Sequence, residues 1–295
     1  MSNDYNRLLG NSPAFQRTLH AARMVASTPA PVLVLGERGA GKEQLAREVH
    51  RVGRRRDMSF SVIKCAGMSE ELFVQKLSET SDLNGGTLFL DEVSELSITA
   101  QGRLVHFLEA SAEGELDLRL IASTSQELFT LVESGRFRED LYYRLHVVPL
   151  EMPPLRERRD DIVLLLKQLS ADLARQHGRR VPAYSVSARN LLKSYSWPGN
   201  IRELRNFCER MVILHGGEKI RPEDIPVEIR TGDGQRKSEG SFTLPEGGVD
   251  LTALEGDMIQ QALAMAGGNR SKAARLLGLT RDTMLYRMQK HAIEV

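Results

Sequence analysis

The sequence has very little cysteine: only Cys65 and Cys208 occur in 295 residues. They lie far apart and lack the paired spacing of a zinc site. A disulfide framework and a cysteine metal centre are therefore not expected, and a reducing cytoplasm fits best. No apolar run approaches the ~18 residues of a membrane span, and Met1-Ser2-Asn3-Asp4 does not open a secretory signal, so no membrane association is expected. The seven histidines form no HxxxH pair. A dominant charge is missing too, because the formal net charge is +1. Apolar residues make up 41% of the chain, ample for folded cores, and the length allows two or three domains.

The most informative stretch is Gly36-Glu37-Arg38-Gly39-Ala40-Gly41-Lys42-Glu43, which follows the apolar run Val32 to Leu35 and precedes a helix-like stretch from Gln44 to Val52. A strand, a glycine-rich loop and a helix in that order make a phosphate cradle. Backbone N–H groups wrap a phosphate where no Cβ intervenes, hence Gly36, Gly39 and Gly41. Lys42 would reach the β- and γ-phosphates, and the helix N-terminus would add the positive end of its dipole. The last position departs from the common pattern, with Glu43 where a Ser or Thr usually helps to hold Mg²⁺. A flexible glycine-rich turn is the plain alternative.

Further along, Gly85 to Glu92 reads as a buried strand ending in two carboxylates. Asp91 at the strand end can hold the Mg²⁺ environment, and Glu92 can orient and deprotonate an attacking water. Phe60 to Ile63, Leu118 to Ala122 and His146 to Leu150 read as additional strands, and Ser123-Thr124-Ser125 ends one of them. Alternating strands and helices predict an α/β layered domain with a mainly parallel sheet and ligands at the carboxyl ends of its strands. Pro13 to Val25 reads as an amphipathic helix, and the residues ahead of Val32 leave no room for an N-terminal sensory domain. Arg138 and Arg144 could act on a neighbouring subunit's phosphate, but their spacing favours salt bridges with Glu139 and Asp140. Beyond Pro153-Pro154 the pattern turns helical to about Val227, with Trp197-Pro198-Gly199-Asn200 breaking it before a helix that carries Arg202.

Gly232 to Gly248 has linker composition. Asp250 to Ala266 carries a helical stripe of Leu251, Leu254, Met258, Ile259, Ala262 and Leu263. Asn269 to Leu279 then gives a short helix and turn, with Gly278 at the turn and Ala273-Ala274 small enough for close packing. Thr280 caps a last helix from Arg281 to His291. This is a helix-turn-helix pattern, and residues 267–295 hold six Lys/Arg against two Asp/Glu. Phosphate contacts are expected from Arg270, Lys272 and Lys290, beside Ser271 and Thr280, with base reading by Arg281, Asp282, Thr283, Tyr286 and Arg287. A helical hairpin serving dimerisation alone is the alternative.

Taken together, these stretches resemble the bacterial enhancer-binding proteins, AAA+ activators that serve the alternative sigma factor of the nitrogen class. The most specific segments are Gly85 to Glu92, Gly135 to Leu145, Pro153 to Arg158 and Trp197 to Leu204, and the tail looks like that family's Fis-type DNA-binding domain. The resemblance implies an AAA+ α/β ATP-binding core over 1–153, an α-helical lid over 154–229, a linker over 230–248 and the helix-turn-helix domain over 249–295. Gly36 to Glu43 becomes the Walker A loop, whose family form also reads GKE, and Asp91 with Glu92 becomes Walker B. Arg138 and Arg144 match trans-acting arginine fingers, overturning the preference drawn from spacing, and Arg202 matches the sensor II arginine. Leu9 and Gly10 would lie near the adenine, and Ser125 occupies a sensor I position. ATP with Mg²⁺ would be held between subunits of a ring, commonly a hexamer. The tail would dimerise on inverted-repeat double-stranded DNA.

The departures bear on function. Family members carry a GAFTGA loop between the ELF segment and Walker B that grips the sigma factor. Here Glu71-Leu72-Phe73 is followed by only Val74 to Asn84 before Gly85-Gly86, with no GAFTGA. The second surface loop, Glu109 to Asp117, is also short. The family's Asn-Cys-Ala segment reads Lys64-Cys65-Ala66, and its sensor I Thr-Asn reads Thr124-Ser125. Lys64 is expected to pair with Glu92, leaving ATP binding intact and hydrolysis slow or uncoupled. The expected function is a DNA-binding transcription regulator with ATP as an assembly or conformational switch and no direct remodelling of the sigma-54 holoenzyme. Two alternatives remain open. One is a mechanochemical activator using a degenerate loop around Ser78 to Asn84. The other is a tuning subunit in a mixed ring with a GAFTGA-containing paralogue. RNA polymerase or that paralogue would be the protein partner.

Overall fold

The computed structural model describes residues 8–80, 85–112, 117–231, 250–291 and 293, and the side chains at 111, 112 and 282 are not among them. The contact pattern divides the chain into two units, residues 1–235 and 236–295.

In the first unit, α1 (Pro13–Ala26) leads into β1 (Val32–Leu35), α2 (Lys42–Val52), β2 (Phe60–Lys64), α3 (Glu70–Thr80), β3 (Thr87–Asp91) and α4 (Ile98–Ala112). β4 (Arg119–Thr124), α5 (Leu128–Glu133), α6 (Glu139–Leu145) and β5 (Val148–Glu151) complete the α/β layer. The five strands pair in the order β2-β3-β4-β1-β5, and every pairing is parallel. Such a sheet is covered on both faces, which is why its strands read as continuous apolar runs. Alternation sorts them into two layers. Leu33, Leu88, Leu90 and Leu120 pack with residues of α3 and α4, such as Phe73 and Leu104. Val34, Phe89 and Ile121 pack with residues of α1 and α2, such as Phe15 and Leu45. β1 lies between β4 and β5, so the strand order reverses there, and the phosphate loop leaves its carboxyl end at the place where open parallel sheets bind ligands.

A helical subdomain follows: α7 (Arg159–His177), α8 (Val186–Ser194), α9 (Asn200–His215) and the short α10 (Val227–Arg230). They pack around Trp197, which is fully buried and donates Nε1–H to Leu192 O at 2.9 Å. The expectation of an all-helical subdomain needs one amendment. β6 (Ala183–Tyr184) and β7 (Lys219–Ile220) form a two-residue parallel pair that ties the start of α8 to the end of α9. Runs this short carry no periodicity in sequence.

One buried ion pair fastens the N-terminal segment to this subdomain. Arg158 and Asp161 are both about 1% exposed and meet at 3.1 Å. Asp161 also accepts from Asn11 N at 2.6 Å, Ser12 N at 2.9 Å and Ser12 Oγ at 2.7 Å. Arg158 donates to Leu9 O at 2.8 Å and stacks 3.9 Å over the Phe15 ring.

The second unit holds α11 (Leu251–Met265), α12 (Arg270–Leu276) and α13 (Arg281–Lys290), capped by the side chains of Asp250, Asn269 and Thr280. Ile259, Ala262, Leu263, Ala273, Ala274, Met284 and Met288 form its core. Leu251 and Met258 of the expected stripe stay exposed, because three short helices cover only one flank of α11. Residues 232–249, which include nearly all of the expected linker, lie outside the described residues. Among the described residues, no helix is long and apolar enough to cross a membrane.

Removing one member of a buried ion pair strands the other charge, at a cost of roughly 3–5 kcal/mol. Burial alone would raise the Asp161 carboxyl, but donors from Ser12, Asn11 and Arg158 outweigh it and hold the group below its ordinary value. Its contribution is thus complete above the ordinary carboxylate range and is lost as pH falls through and below that range. Arg158→Met is therefore expected to lower the urea midpoint at neutral pH, with the gap to wild type narrowing in acid.

Candidate nucleotide site and helix-turn-helix

The loop after β1 adopts the conformation its glycines predict. Gly36, Gly39 and Gly41 have φ of 150°, 79° and 107°. At Gly39 the backbone requires glycine twice over, since an added Cβ would lie 2.4 Å from Gly199 O. Gly41 begins α2 without any side-chain cap, so the first N–H groups of that helix remain for a ligand. The Lys42 ammonium, 5% exposed, donates to Gly36 O at 2.7 Å and Glu37 O at 3.3 Å and meets Glu92 Oε1 at 2.8 Å.

Asp91 ends β3, and the chain turns at once. Glu92 has φ 59° and ψ 56°, a left-handed conformation rare for a non-glycine residue. Ser123 on neighbouring β4 fixes both acids, donating Oγ–H to Asp91 Oδ1 at 2.7 Å and accepting from Glu92 N at 3.1 Å. Ser125 binds Glu92 Oε2 with its backbone N–H at 2.9 Å and its hydroxyl at 2.7 Å. Burial pushes the Glu92 carboxyl up, but hydrogen bonds from Lys42 and Ser125 outweigh this and leave it below the usual range. The pairing expected between Lys64 and Glu92 does not form, since Lys42 and Ser125 already occupy both oxygens of Glu92. Lys64 lines the cavity without an ion pair among the described residues.

The cavity measures about 530 Å³. Lys42, Lys64, Asp91 and Glu92 line one part of it, and Leu9, Leu165, Leu169 and Ile201 supply apolar wall, with Arg202 alongside. Of the other expected residues, Glu43 lines the cavity while binding Arg47, and Arg38 pairs with Glu95. Ala40 is buried in the sheet core. Gly10 sits beside Asp161 and Arg158, behind Leu9. Arg138 and Arg144 are not brought to this cavity. Arg138 pairs with Asp140 at 2.7 Å, as spacing alone favoured, whereas Arg144 crosses to Glu109 of α4 at 2.7 Å.

Sequence reasoning missed the join between loop and lid. Asn200, fully buried at φ 53°, donates to Glu37 Oε2 at 3.0 Å and Arg38 O at 3.2 Å, and accepts from Leu155 N at 2.7 Å. Ile201 N donates to Gly39 O at 3.0 Å, and Arg156 pairs with Glu37 at 2.7 Å. The clue was an asparagine directly after Gly199, since Asn tolerates left-handed backbone.

In the second unit, Arg270, Ser271, Lys272, Thr280, Arg281, Tyr286 and Lys290 are exposed and Thr283 is half-buried. The side chain of Asp282 lies outside the described residues. Gln289, exposed and one turn beyond Tyr286, joins the outer face and was not anticipated. Arg287 and Lys290 instead reach Glu255 of α11, which also meets His291 at 2.8 Å. Hydrogen bonds from His291 and Lys290 bring the Glu255 carboxyl down to about 2.

A parallel sheet with a glycine-rich loop, two acids at the end of β3 and a helical lid define a P-loop nucleotide-binding module of the AAA+ class, here joined to a helix-turn-helix unit. Residues 9–155 match the family model for the Sigma-54 interaction domain, 156–241 the AAA+ ATPase lid domain and 251–291 the bacterial regulatory protein Fis family. The chain is 38% identical over 312 residues to nitrogen fixation protein AnfA of Azotobacter vinelandii, covering 98% of this chain and 58% of AnfA. It is 36% identical over 307 residues to transcriptional regulatory protein ZraR of Salmonella typhimurium, covering 96% of this chain and 68% of ZraR. The crystal structure of NtrX from Brucella abortus in complex with ADP aligns with a TM-score of 0.72 at 28% identity, over 98% of this chain and 69% of NtrX. A second NtrX structure, in complex with ATP, aligns with a TM-score of 0.70. The chain belongs to the family of sigma-54-dependent transcriptional regulators that combine an AAA+ module with a Fis-type helix-turn-helix.

Gly39→Ala adds both a clash and backbone strain, and is expected to destabilise the fold by roughly 1–3 kcal/mol in urea unfolding. Gly135 also has positive φ but open space around it. Gly135→Ala should therefore lose only the strain part, about 1 kcal/mol. Equal losses would contradict the packed join at Gly39.

Proposed function

We propose that this chain is a sequence-specific DNA-binding regulator whose AAA+ module binds ATP with Mg²⁺ as an assembly or conformational switch, without directly remodelling the sigma-54 holoenzyme. The observation that carries this reading is the bonded join between the phosphate loop and the lid. A ligand seated on Gly36 to Lys42 touches the same residues that Asn200, Ile201 and Arg156 hold. Binding that prefers one arrangement of loop and lid shifts the population towards it without any need for hydrolysis.

The residues suit a nucleoside triphosphate. Uncapped N–H groups at the start of α2 and the Lys42 ammonium provide anion contacts, and Leu9, Leu169 and Ile201 give a base an apolar wall. The ADP and ATP complexes of NtrX support the same ligand class. Asp91 would hold Mg²⁺, which screens phosphate charge when bound. Glu92 is the candidate base for water, yet Lys42 and Ser125 occupy its carboxylate and lower its basicity, away from the match to working pH that favours proton transfer.

The separation from sigma-54 remodelling rests on length. α3 ends at Thr80 and β3 starts at Thr87, so only residues 81–86 join them. Residues 81–84, within the stretch considered for a degenerate contact loop, lie outside the described residues, as do 113–116 of the second surface loop. A second reading, a tuning subunit in a mixed ring, draws on Arg138 and Arg144. Both are more than a third exposed and lie away from this chain's own cavity, as residues serving a neighbour's site would.

ATP turnover measured over a protein concentration series, with wild type beside Glu92→Gln, tests the switch. The expected result is saturable ATP binding with turnover close to that of Glu92→Gln at every concentration. Turnover that rises cooperatively and vanishes in Glu92→Gln would instead make the chain a working ring ATPase.

A further inference from the structure

Lys64 is the last residue of β2 and pairs in parallel register with Asp91 of β3. Strand alternation puts both on one face of the sheet. Their neighbours Ile63 and Leu90 enter the layer under α3 and α4, whereas Val62 and Phe89 meet the layer of α1 and α2. Adjacent strands stand about 4.8 Å apart, so Lys64 lies beside Asp91 on the face that carries the phosphate loop. Both line the cavity that Lys42 and Glu92 enter. Lys64 is exposed and its ammonium has no ion-pair partner among the described residues, even with Asp91 next to it.

The cation-holding set around it is thin. Asp91 Oδ1 already accepts from Ser123, and Glu43 is engaged by Arg47. Among the described residues, no group of three or more His, Cys, Asp or Glu side chains could hold a metal ion. A triphosphate carries several negative charges, and a metal-dependent site neutralises part of them with its divalent ion. Here a second lysine lines the same cavity. We propose that Lys64 is a phosphate-binding residue which, with Lys42, clasps the terminal phosphates of a bound nucleoside triphosphate, so that the nucleotide stays bound when the Mg²⁺ that Asp91 would hold is removed. This rests on the nucleotide-binding reading above.

Calorimetric titration with ATP, in Mg²⁺ and in EDTA, tests the proposal on the full chain. Wild type is expected to keep its affinity within about threefold when EDTA replaces Mg²⁺, the loss of one metal contact being offset by the ammonium. Lys64→Asn should lose about tenfold or more in EDTA and much less in Mg²⁺, as expected for one charge-assisted contact. Lys64→Arg should retain metal-free binding. The position is exposed at a strand end, and unchanged melting curves would verify that the variants fold. Wild-type affinity for Lys64→Asn in EDTA would overturn the proposal while leaving the nucleotide site standing. A wild type that fails to bind ATP even with Mg²⁺ would overturn the nucleotide-binding reading and this proposal with it.

Discussion

The architecture of the first unit depends on one buried amide. Asn200 bonds the phosphate loop at Glu37 and Arg38 and the lid entry at Leu155, using both its donor and its acceptor groups away from solvent. A buried polar group left without these partners would cost about 1–3 kcal/mol, so the three bonds form together or the junction opens. Its left-handed backbone adds strain that the surrounding packing must hold. Trp197, three residues earlier, shares that conformation and is locked in the lid core. Rigid lid core, strained turn and phosphate loop are thus covalently and hydrogen-bond continuous. The cavity lies in the seam between sheet and lid.

The same seam sets the chemistry. Lys42 answers to two loop carbonyls and to Glu92, and Glu92 answers to Lys42 and Ser125. An anion arriving at the loop competes with Glu92 for Lys42, so ligand binding and the freedom of the glutamate are linked through one ammonium. Ser125 retains the other carboxylate oxygen through a backbone N–H as well as a hydroxyl, so removing the hydroxyl alone leaves one of the two bonds.

Much of this was legible in the sequence, for identifiable reasons. Apolar runs made all five strands of the large sheet readable to within two residues at their starts and ends, and the cap residue Thr280 marked α13. Phosphate-loop glycines announced themselves because a left-handed backbone restricts the choice of residue. What remained hidden depends on distant partners. Asp161 finds Ser12 across 149 positions and Asn200 finds Glu37 across 163, and no local pattern encodes such meetings. Glu255 likewise draws Arg287 and Lys290 towards α11, although helical spacing had assigned both to DNA. The Lys64–Glu92 pairing was expected because Lys64 replaces the asparagine of the family's Asn-Cys-Ala segment. In the fold both carboxylate oxygens of Glu92 are taken by Lys42 and Ser125.

The central claim is that ATP occupancy, not its hydrolysis, changes how the chain engages DNA. The most direct measurement is quantitative footprinting on an inverted-repeat site at fixed salt, with no nucleotide, with ADP and with ATP, for wild type and Glu92→Gln. The account predicts that ATP shifts the protein concentration needed for half-protection, and that Glu92→Gln shifts it equally. Half-protection that ignores nucleotide in both proteins, or a shift seen only where ATP is hydrolysed, would contradict it.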